Sequence, residues 1–83
     1  MKTPNPATEL AIIRELAASG EAREIRRRAR LSLSETGTQC GTDPSTVYKW
    51  ETGKQRPRGD TGLAYARLIA ELSALNLPPE VKR

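Results

Sequence analysis

Residues 41–57 of the chain read GTDPSTVYKWETGKQRP, and they carry the clearest structural signals in the sequence. Asp43 is a favoured N-cap residue, and Pro44 suits the first turn of a helix because its missing N–H would have no partner there. Gly53 is a typical residue just after a helix. The stretch therefore predicts a short helix over residues 44–52.

The segment immediately before this helix predicts a second short helix and a tight turn. Ser32 and Glu35 stand three residues apart, the spacing of a capping box that satisfies free backbone N–H groups at a helix start. The helix should end near Cys40, and Gly41 can reverse the chain because glycine adopts positive φ without steric cost. Two short helices joined by such a turn form a helix-turn-helix unit, whose second helix fits the major groove of DNA.

The predicted helix 44–52 has one apolar and one polar side. At about 100° per residue, Val47 and Trp50 share the side that we expect to be buried. The opposite side carries hydrogen-bonding groups and no carboxylate: Ser45, Tyr48, Lys49 and Thr52. A helix roughly 10–12 Å across matches the roughly 12 Å width of the major groove, where side chains can distinguish all four base pairs. This polar side is therefore the predicted base-reading surface.

Outside this unit, the hydrophobic spacing is helical along the whole chain and no strand pattern occurs, which predicts an all-α fold. The other helices are expected over residues 6–18, 21–30 and about 61–75, with Asn5 capping the first and Asp60 or Thr61 capping the last. Three segments are predicted: an N-terminal tail with an extra helix (1–20), a DNA-binding domain (21–76) and a C-terminal tail (77–83).

The composition excludes several classes of protein. The 83 residues suffice for one compact domain. Cys40 is the only cysteine and there is no histidine, which excludes an internal disulfide, a zinc site with Cys and His ligands, and imidazole-based catalysis. No signal-peptide or membrane-spanning pattern occurs. We therefore expect a cytoplasmic, nucleoid-associated protein that is not an enzyme and has no metal, cofactor, membrane partner or small-molecule substrate.

The positive charge is concentrated in the middle of the chain. The formal net charge is +4, and residues 21–30 carry five arginines against two glutamates. Residues 43–58 carry four basic groups against two acidic ones, whereas residues 1–20 and 60–83 each sum to zero. A basic band between neutral flanks indicates a polyanionic partner that meets one surface of the protein.

The stretch GTDPSTVYKWETGKQRP resembles the phage repressor and Cro superfamily, the XRE-type helix-turn-helix regulators, and the resemblance extends over about residues 22–72. It implies a lambda-repressor-like bundle of five helices, here with an additional N-terminal helix. Gly37 matches the family's small residue in the first helix of the motif, and Gly41 matches its turn glycine. Val47 matches its β-branched core residue, and Trp50, Glu51 and Gly53 match its aromatic–Glu–x–Gly ending.

The resemblance also implies roles for individual side chains. The base-reading positions would be Pro44, Ser45, Tyr48 and Lys49. The phosphate contacts would come from Thr42, Lys54, Arg56 and Arg58, to which the polar face adds Thr52 and the basic second helix adds Arg28. Arg26 matches a family arginine that pairs with the glutamate at the position of Glu51, and we interpret that pair as structural.

The sequence leaves more than one functional hypothesis open. The main one is a sequence-specific regulator of transcription, repressor-like and of phage or bacterial origin, which binds double-stranded DNA. Excisionase and antitoxin proteins use similar helices. The first and last helices are also so apolar that we expect a symmetric homodimer through them, which would set two recognition helices about one DNA turn apart. A protein-interaction module that uses those apolar helices is the alternative of a different class.

Overall fold

The computed structural model of the protein describes residues 5–78, and within them the chain is all-α, as predicted. Its five helices are α1 (Pro6–Ser19), α2 (Glu21–Arg28), α3 (Leu33–Cys40), α4 (Pro44–Glu51) and α5 (Gly59–Ala74). Helix α5 is the longest and packs against α1, α2 and α3, while α4 packs against α3 and α1. The predicted tail at residues 1–4 and most of the predicted C-terminal tail lie outside the described residues.

The predicted starts of α1 and α3 are confirmed by their hydrogen bonds. The Asn5 side chain accepts from the Thr8 N–H at 2.8 Å, which caps α1. Ser32 and Glu35 form the complete capping box of α3, each side chain accepting the other's backbone N–H at 2.9 Å. These local bonds satisfy donors that would otherwise have no partner at a helix start, so they fix where each helix begins.

Two predicted helix boundaries are wrong by two residues, and the other ends agree with the prediction to within one residue, as α4 does by ending at Glu51 rather than Thr52. Helix α2 ends at Arg28 rather than at Arg30, because Arg30 takes a positive φ of 60° and turns the chain toward α3. Helix α5 begins at Gly59, and neither Asp60 nor Thr61 is its N-cap. The N-cap is Arg58, whose carbonyl accepts from the Gly62 N–H at 2.9 Å and whose side chain makes no capping bond.

The core is formed where α5 meets the helix-turn-helix unit and α1. Tyr65 of α5 stacks on Trp50 of α4, with ring centroids 4.9 Å apart, and aromatic pairs in this range contribute beyond their buried area. The other fully or nearly fully buried apolar residues are Ile13, Ala17, Ala22, Cys40, Val47, Ala66 and Ile69. The predicted apolar side of the 44–52 helix is therefore confirmed as part of the core.

The turn between α3 and α4 depends on two glycines. Gly41 adopts a φ of 79°, in the left-handed region that favours glycine. Gly37, one helical turn earlier, lies so close to the turn that a Cβ there would be 3.0 Å from the Thr42 carbonyl oxygen. The Thr42 N–H in turn donates to the Gly37 carbonyl at 2.8 Å. A bare backbone at Gly37 thus lets the turn dock directly on α3 and sets the start of α4.

We predict that Gly37→Ala destabilises the protein although alanine favours helix. The alanine methyl would press on turn backbone, a contact that costs about 1–3 kcal/mol, against a gain in helix propensity of about 1 kcal/mol. Urea unfolding measures the balance, and Thr38→Ala on the exposed side of α3 is the matched control, because it changes helix propensity without touching the turn. A Gly37→Ala protein more stable than wild type would show that the close contact is unimportant.

Candidate nucleic-acid interface

The residues predicted to read bases lie together on the exposed side of α4. Val47 and Trp50 are 0% and 2% exposed, whereas Tyr48, between them in sequence, is 50% exposed. Pro44, Ser45 and Lys49 are exposed as well. Because residues three and four apart share a helix face, Ser45 lies beside both Tyr48 and Lys49, and Pro44 lies beside Tyr48, so the four side chains form one continuous surface patch. The patch carries a hydroxyl, a phenol and an ammonium group, all able to hydrogen-bond base edges.

A hydrogen bond that the sequence analysis missed restricts Ser45. Its hydroxyl donates to Asp43 Oδ1 at 2.7 Å, and the same oxygen accepts from the Thr46 N–H at 2.9 Å, which confirms Asp43 as the cap of α4. The Ser45 hydroxyl and then the Thr46 N–H lower the pKa of the Asp43 carboxyl. With its proton turned toward Asp43, Ser45 presents acceptor lone pairs to the outside. The spacing Asp-x-Ser at a helix start is the local signal for this bond.

The two threonines of the predicted phosphate set lie at opposite ends of α4. Thr42 is half-buried in the turn before the helix. Thr52 is exposed at the C-cap, and its hydroxyl donates to the Tyr48 carbonyl at 2.9 Å. That hydroxyl must rotate before it can donate to a phosphate oxygen, so its contribution to binding carries a local cost.

The three basic residues after α4 lie on one ordered loop. We call residues 53–58 the basic loop; its Lys54, Arg56 and Arg58 side chains are all exposed. The loop is attached to the end of α4, because the N–H groups of Lys54 and Gln55 both donate to the Lys49 carbonyl, at 2.9 and 3.1 Å. The start of the basic loop is therefore attached to the C-terminal end of α4, next to the exposed residue Lys49.

Buried Pro57 anchors the middle of the basic loop. Gly62 of α5 lies against it so closely that a Cβ there would be 2.7 Å from the Pro57 carbonyl carbon. Arg14 of α1 donates from Nε to the Pro57 carbonyl at 2.8 Å. Neither contact was identified from the sequence. Arg14 lies 43 residues from Pro57 along the chain, whereas Gly62 follows Pro57 by only five residues.

The predicted Arg26–Glu51 pair is present and buried beneath α4. Arg26 binds the carboxylate with two donors, Nε at 2.7 Å and Nη2 at 2.9 Å, and its Nη1 donates to the Leu31 carbonyl at 2.7 Å. The Tyr65 hydroxyl donates to the same carboxylate at 3.2 Å. Burial, and then the negative charge of Glu51, raises the pKa of the Tyr65 hydroxyl. Tyr65, a third member that was not predicted from the sequence, connects the end of α4 to α5 as well as to α2.

Two other residues from the sequence analysis lie elsewhere. Arg28 lines a groove between α2 and the end of α5, together with Ile25, Leu72 and Asn76. Its role in binding phosphate stays a prediction. Cys40, the last residue of α3, is buried in the core. Burial raises the pKa of its thiol to about 11, so it behaves as a small apolar side chain at neutral pH.

Neither a membrane span nor a metal cluster is found among the described residues. No helix between residues 5 and 78 is both long and apolar enough to cross a bilayer. Across the same part of the chain, no three His, Cys, Asp or Glu side chains come close enough together to hold a metal ion.

Comparison with known proteins gives one result. The sequence matches the model of a protein family described as a helix-turn-helix domain over residues 17–80, which is more than half of the chain. Searches of the curated proteins and of the solved structures found no match. The matched region includes α2 to α5 and begins inside α1.

We predict that Glu51→Gln strongly destabilises the protein. The amide keeps the shape of the side chain but leaves the Arg26 charge buried without its counterion, and removal of one partner from a buried pair costs about 3–5 kcal/mol. Urea unfolding measures the loss. Glu9→Gln is the matched control, because Glu9 pairs at 3.1 Å with Arg67, whose side chain is 60% exposed, and an exposed pair contributes little. Similar stability of the two variants would contradict a structural role for the buried pair.

Proposed function

Because this chain belongs to the helix-turn-helix domain family, of the XRE/Cro-like type, we propose that it is a sequence-specific regulator of transcription that binds double-stranded DNA. The observation that carries the proposal is the two-sided character of α4. One side is held in the core by Val47 and Trp50, and the other presents a patch of hydrogen-bonding groups to solvent. In this account the protein acts at the nucleoid, in the cytoplasm of a bacterial or phage-infected cell.

In the proposed complex, the exposed face of α4 lies in the major groove. Lys49 donates to the O6 or N7 of guanine, and Tyr48 contacts a thymine methyl group or a phosphate. Ser45, whose proton is held by Asp43, accepts from the exocyclic amino group of adenine or cytosine. Pro44 offers only apolar contact. These four residues would distinguish one site from another.

The basic loop would supply contacts that do not depend on sequence. Lys54, Arg56 and Arg58 are exposed beside α4, where the DNA backbone would run if α4 lies in the groove. Phosphate contacts position a protein on DNA and release bound counterions, which makes the affinity fall as salt rises. We assign Thr42, Thr52 and Arg28 to the same class of contact, as secondary members. The net charge of +4 supports such binding.

A specific observation also supports the second candidate function, a protein-interaction module. Helices α1 and α5 leave a mainly apolar groove between them, lined among others by Ile12, Leu16 and Ala70. Ile12 is 51% exposed at its edge. This groove is distinct from the exposed face of α4, so a protein partner and DNA could be bound by different surfaces.

We also propose a symmetric homodimer through α1 and α5, as expected from the sequence. The surface available for it is smaller than the sequence suggested, because most apolar residues of α5 pack within the monomer. What remains exposed is Ile12, the groove beside it, and Leu75, which is 62% exposed at the end of α5. A dimer of this kind would place two copies of α4 about 34–36 Å apart on one side of the duplex.

We predict that Lys49→Ala and Arg56→Ala affect DNA binding differently. Lys49→Ala should weaken a preferred site, obtained by selection from random duplexes, by roughly ten- to hundredfold while changing random duplex much less. Arg56→Ala should weaken both alike and lower the salt slope by about one. Fluorescence anisotropy at several salt concentrations measures both, with Arg23→Ala on the exposed side of α2 as the control for lost charge. Equal losses on all duplexes for Lys49→Ala would contradict base recognition.

For the dimer, we predict a mass of two chains in sedimentation equilibrium at micromolar concentration, shifted toward one chain by Ile12→Ser. The serine removes apolar area at the edge of the proposed interface without entering the core, because Ile12 is half exposed in the monomer. Ala11→Ser on the same helix is the matched control at another exposed position. A wild-type protein that is a monomer at these concentrations would end the dimer proposal and leave the DNA-binding proposal intact.

A further inference from the structure

One residue of the basic loop is buried between two exposed neighbours. Pro57 is among the most completely buried residues of the protein, while its neighbours Arg56 and Arg58 are both exposed. Fixing the residue between two arginines restricts the directions in which both of them can point. Whatever holds Pro57 therefore determines how the loop presents its charges.

Two contacts hold Pro57, and they come from different helices. Gly62 of α5 lies beneath it and leaves no room for a Cβ, so the proline can move no closer to the core. Arg14 of α1 binds its carbonyl at 2.8 Å through Nε, a directional bond from a charged donor. Pro57 is thus held by packing against Gly62 and by a hydrogen bond from Arg14.

Arg14 occupies a firmly anchored part of α1. Its neighbour Ile13 is 1% exposed and Ala17, one turn later, is 3% exposed, both within the core. Arg14 also lies before residue 17, where the match to the helix-turn-helix family begins. The hydrogen bond to the Pro57 carbonyl therefore comes from a part of this chain outside the matched domain.

We propose that Arg14 is a positioning residue for DNA binding: through the Pro57 carbonyl, it holds the basic loop in the arrangement in which Lys54 and Arg56 meet phosphates. This inference rests on the proposed function. Its physical basis is that a loop ordered before binding loses less conformational entropy when it binds, which increases affinity without adding a contact to the DNA. The extra helix α1 is then part of the DNA-binding unit.

Two other roles for Arg14 predict different behaviour. If Arg14 only stabilised the fold, its replacement would lower the free energy of unfolding without changing the affinity of the folded protein. If its guanidinium touched phosphate itself, its effect would be independent of Lys54 and Arg56. A positioning role instead predicts that the effect of Arg14 on affinity depends on the presence of the loop's cations.

The test compares Arg14→Met with Arg23→Met, which removes the same charge from an exposed site on α2. Affinity for random duplex is measured in wild type and in a background where Lys54 and Arg56 are both alanine. Urea unfolding first establishes that each variant is folded under the binding conditions. Arg14→Lys, which keeps a donor and a charge, serves as the conservative variant, and Arg14→Gln replaces Arg14→Met if the latter does not fold.

Arg14→Met should weaken binding about three- to thirtyfold in wild type, within the range of coupling between residues of one network, and less than about twofold in the alanine background. Arg23→Met should have little effect, and Arg14→Lys should retain most of the affinity. In the protein without DNA, hydrogen exchange should accelerate at the Lys54 and Gln55 amides of Arg14→Met while the amides of α3 stay protected.

Equal losses for Arg14→Met in both backgrounds, or unchanged exchange in the basic loop, would overturn the positioning role. If Arg14→Met does not fold, equal losses for Arg14→Gln in both backgrounds would overturn it in the same way. A wild-type protein that binds no duplex at all would instead refute the proposed function, and the positioning role with it. The two failures are distinguishable because only the second is visible in the unmodified protein.

Discussion

The bidentate bond between Arg26 and Glu51 is the constraint on which the geometry of the candidate interface depends. Helix α4 has only eight residues, too few to be stable alone in water, so neighbouring elements must determine its existence and its direction. Val47 and Trp50 fix which side faces the core, but apolar packing alone tolerates small rotations and shifts. The Glu51 carboxylate at the C-terminal end of α4 accepts two hydrogen bonds from Arg26 of α2 and one from Tyr65 of α5. These directional bonds do not tolerate such rotations and shifts.

The interface combines this rigid helix with two backbone segments held by close packing. On the N-terminal side of α4, the turn docks on the bare backbone of Gly37; on the C-terminal side, Pro57 of the basic loop docks on the bare backbone of Gly62. In both places the missing Cβ permits a contact that no other residue would allow without movement. The base-reading patch and the basic loop are thus positioned relative to one core, and they are joined at the Lys49 carbonyl.

Much of this arrangement could be predicted from local signals in the sequence. The caps at Asn5, Ser32 and Asp43, the reversal at Gly41 and the buried side of α4 all follow from residues within one or two turns of each other. The start of α5 could not be predicted in this way, because Asp60 is a good cap by type but Pro57 and Gly62 place the helix start two residues earlier in the chain. The close contact between Pro57 and Gly62 overrode the N-cap preference of Asp60 there.

Apart from the local Ser45–Asp43 bond and the Pro57–Gly62 contact, the parts of the candidate site that escaped prediction are contacts between residues far apart in the chain. Arg14 and Pro57 are 43 residues apart in the chain, and Tyr65 reaches Glu51 across a loop and a helix turn. Neither contact leaves a periodic or spacing signal, and the resemblance that revealed the Arg26–Glu51 pair begins after α1. Composition indicated only that a basic surface existed, and the structure was needed to place the basic loop beside α4.

The most direct measurement for the central claim is a map of backbone amide chemical shifts, recorded by NMR while duplex DNA is added to the labelled protein. The account predicts that the largest changes fall on α4 after Pro44 and on the basic loop, with α3 and the middle of α5 nearly unchanged. Changes confined to the groove between α1 and α5, or no changes in α4 at saturating DNA, would contradict it.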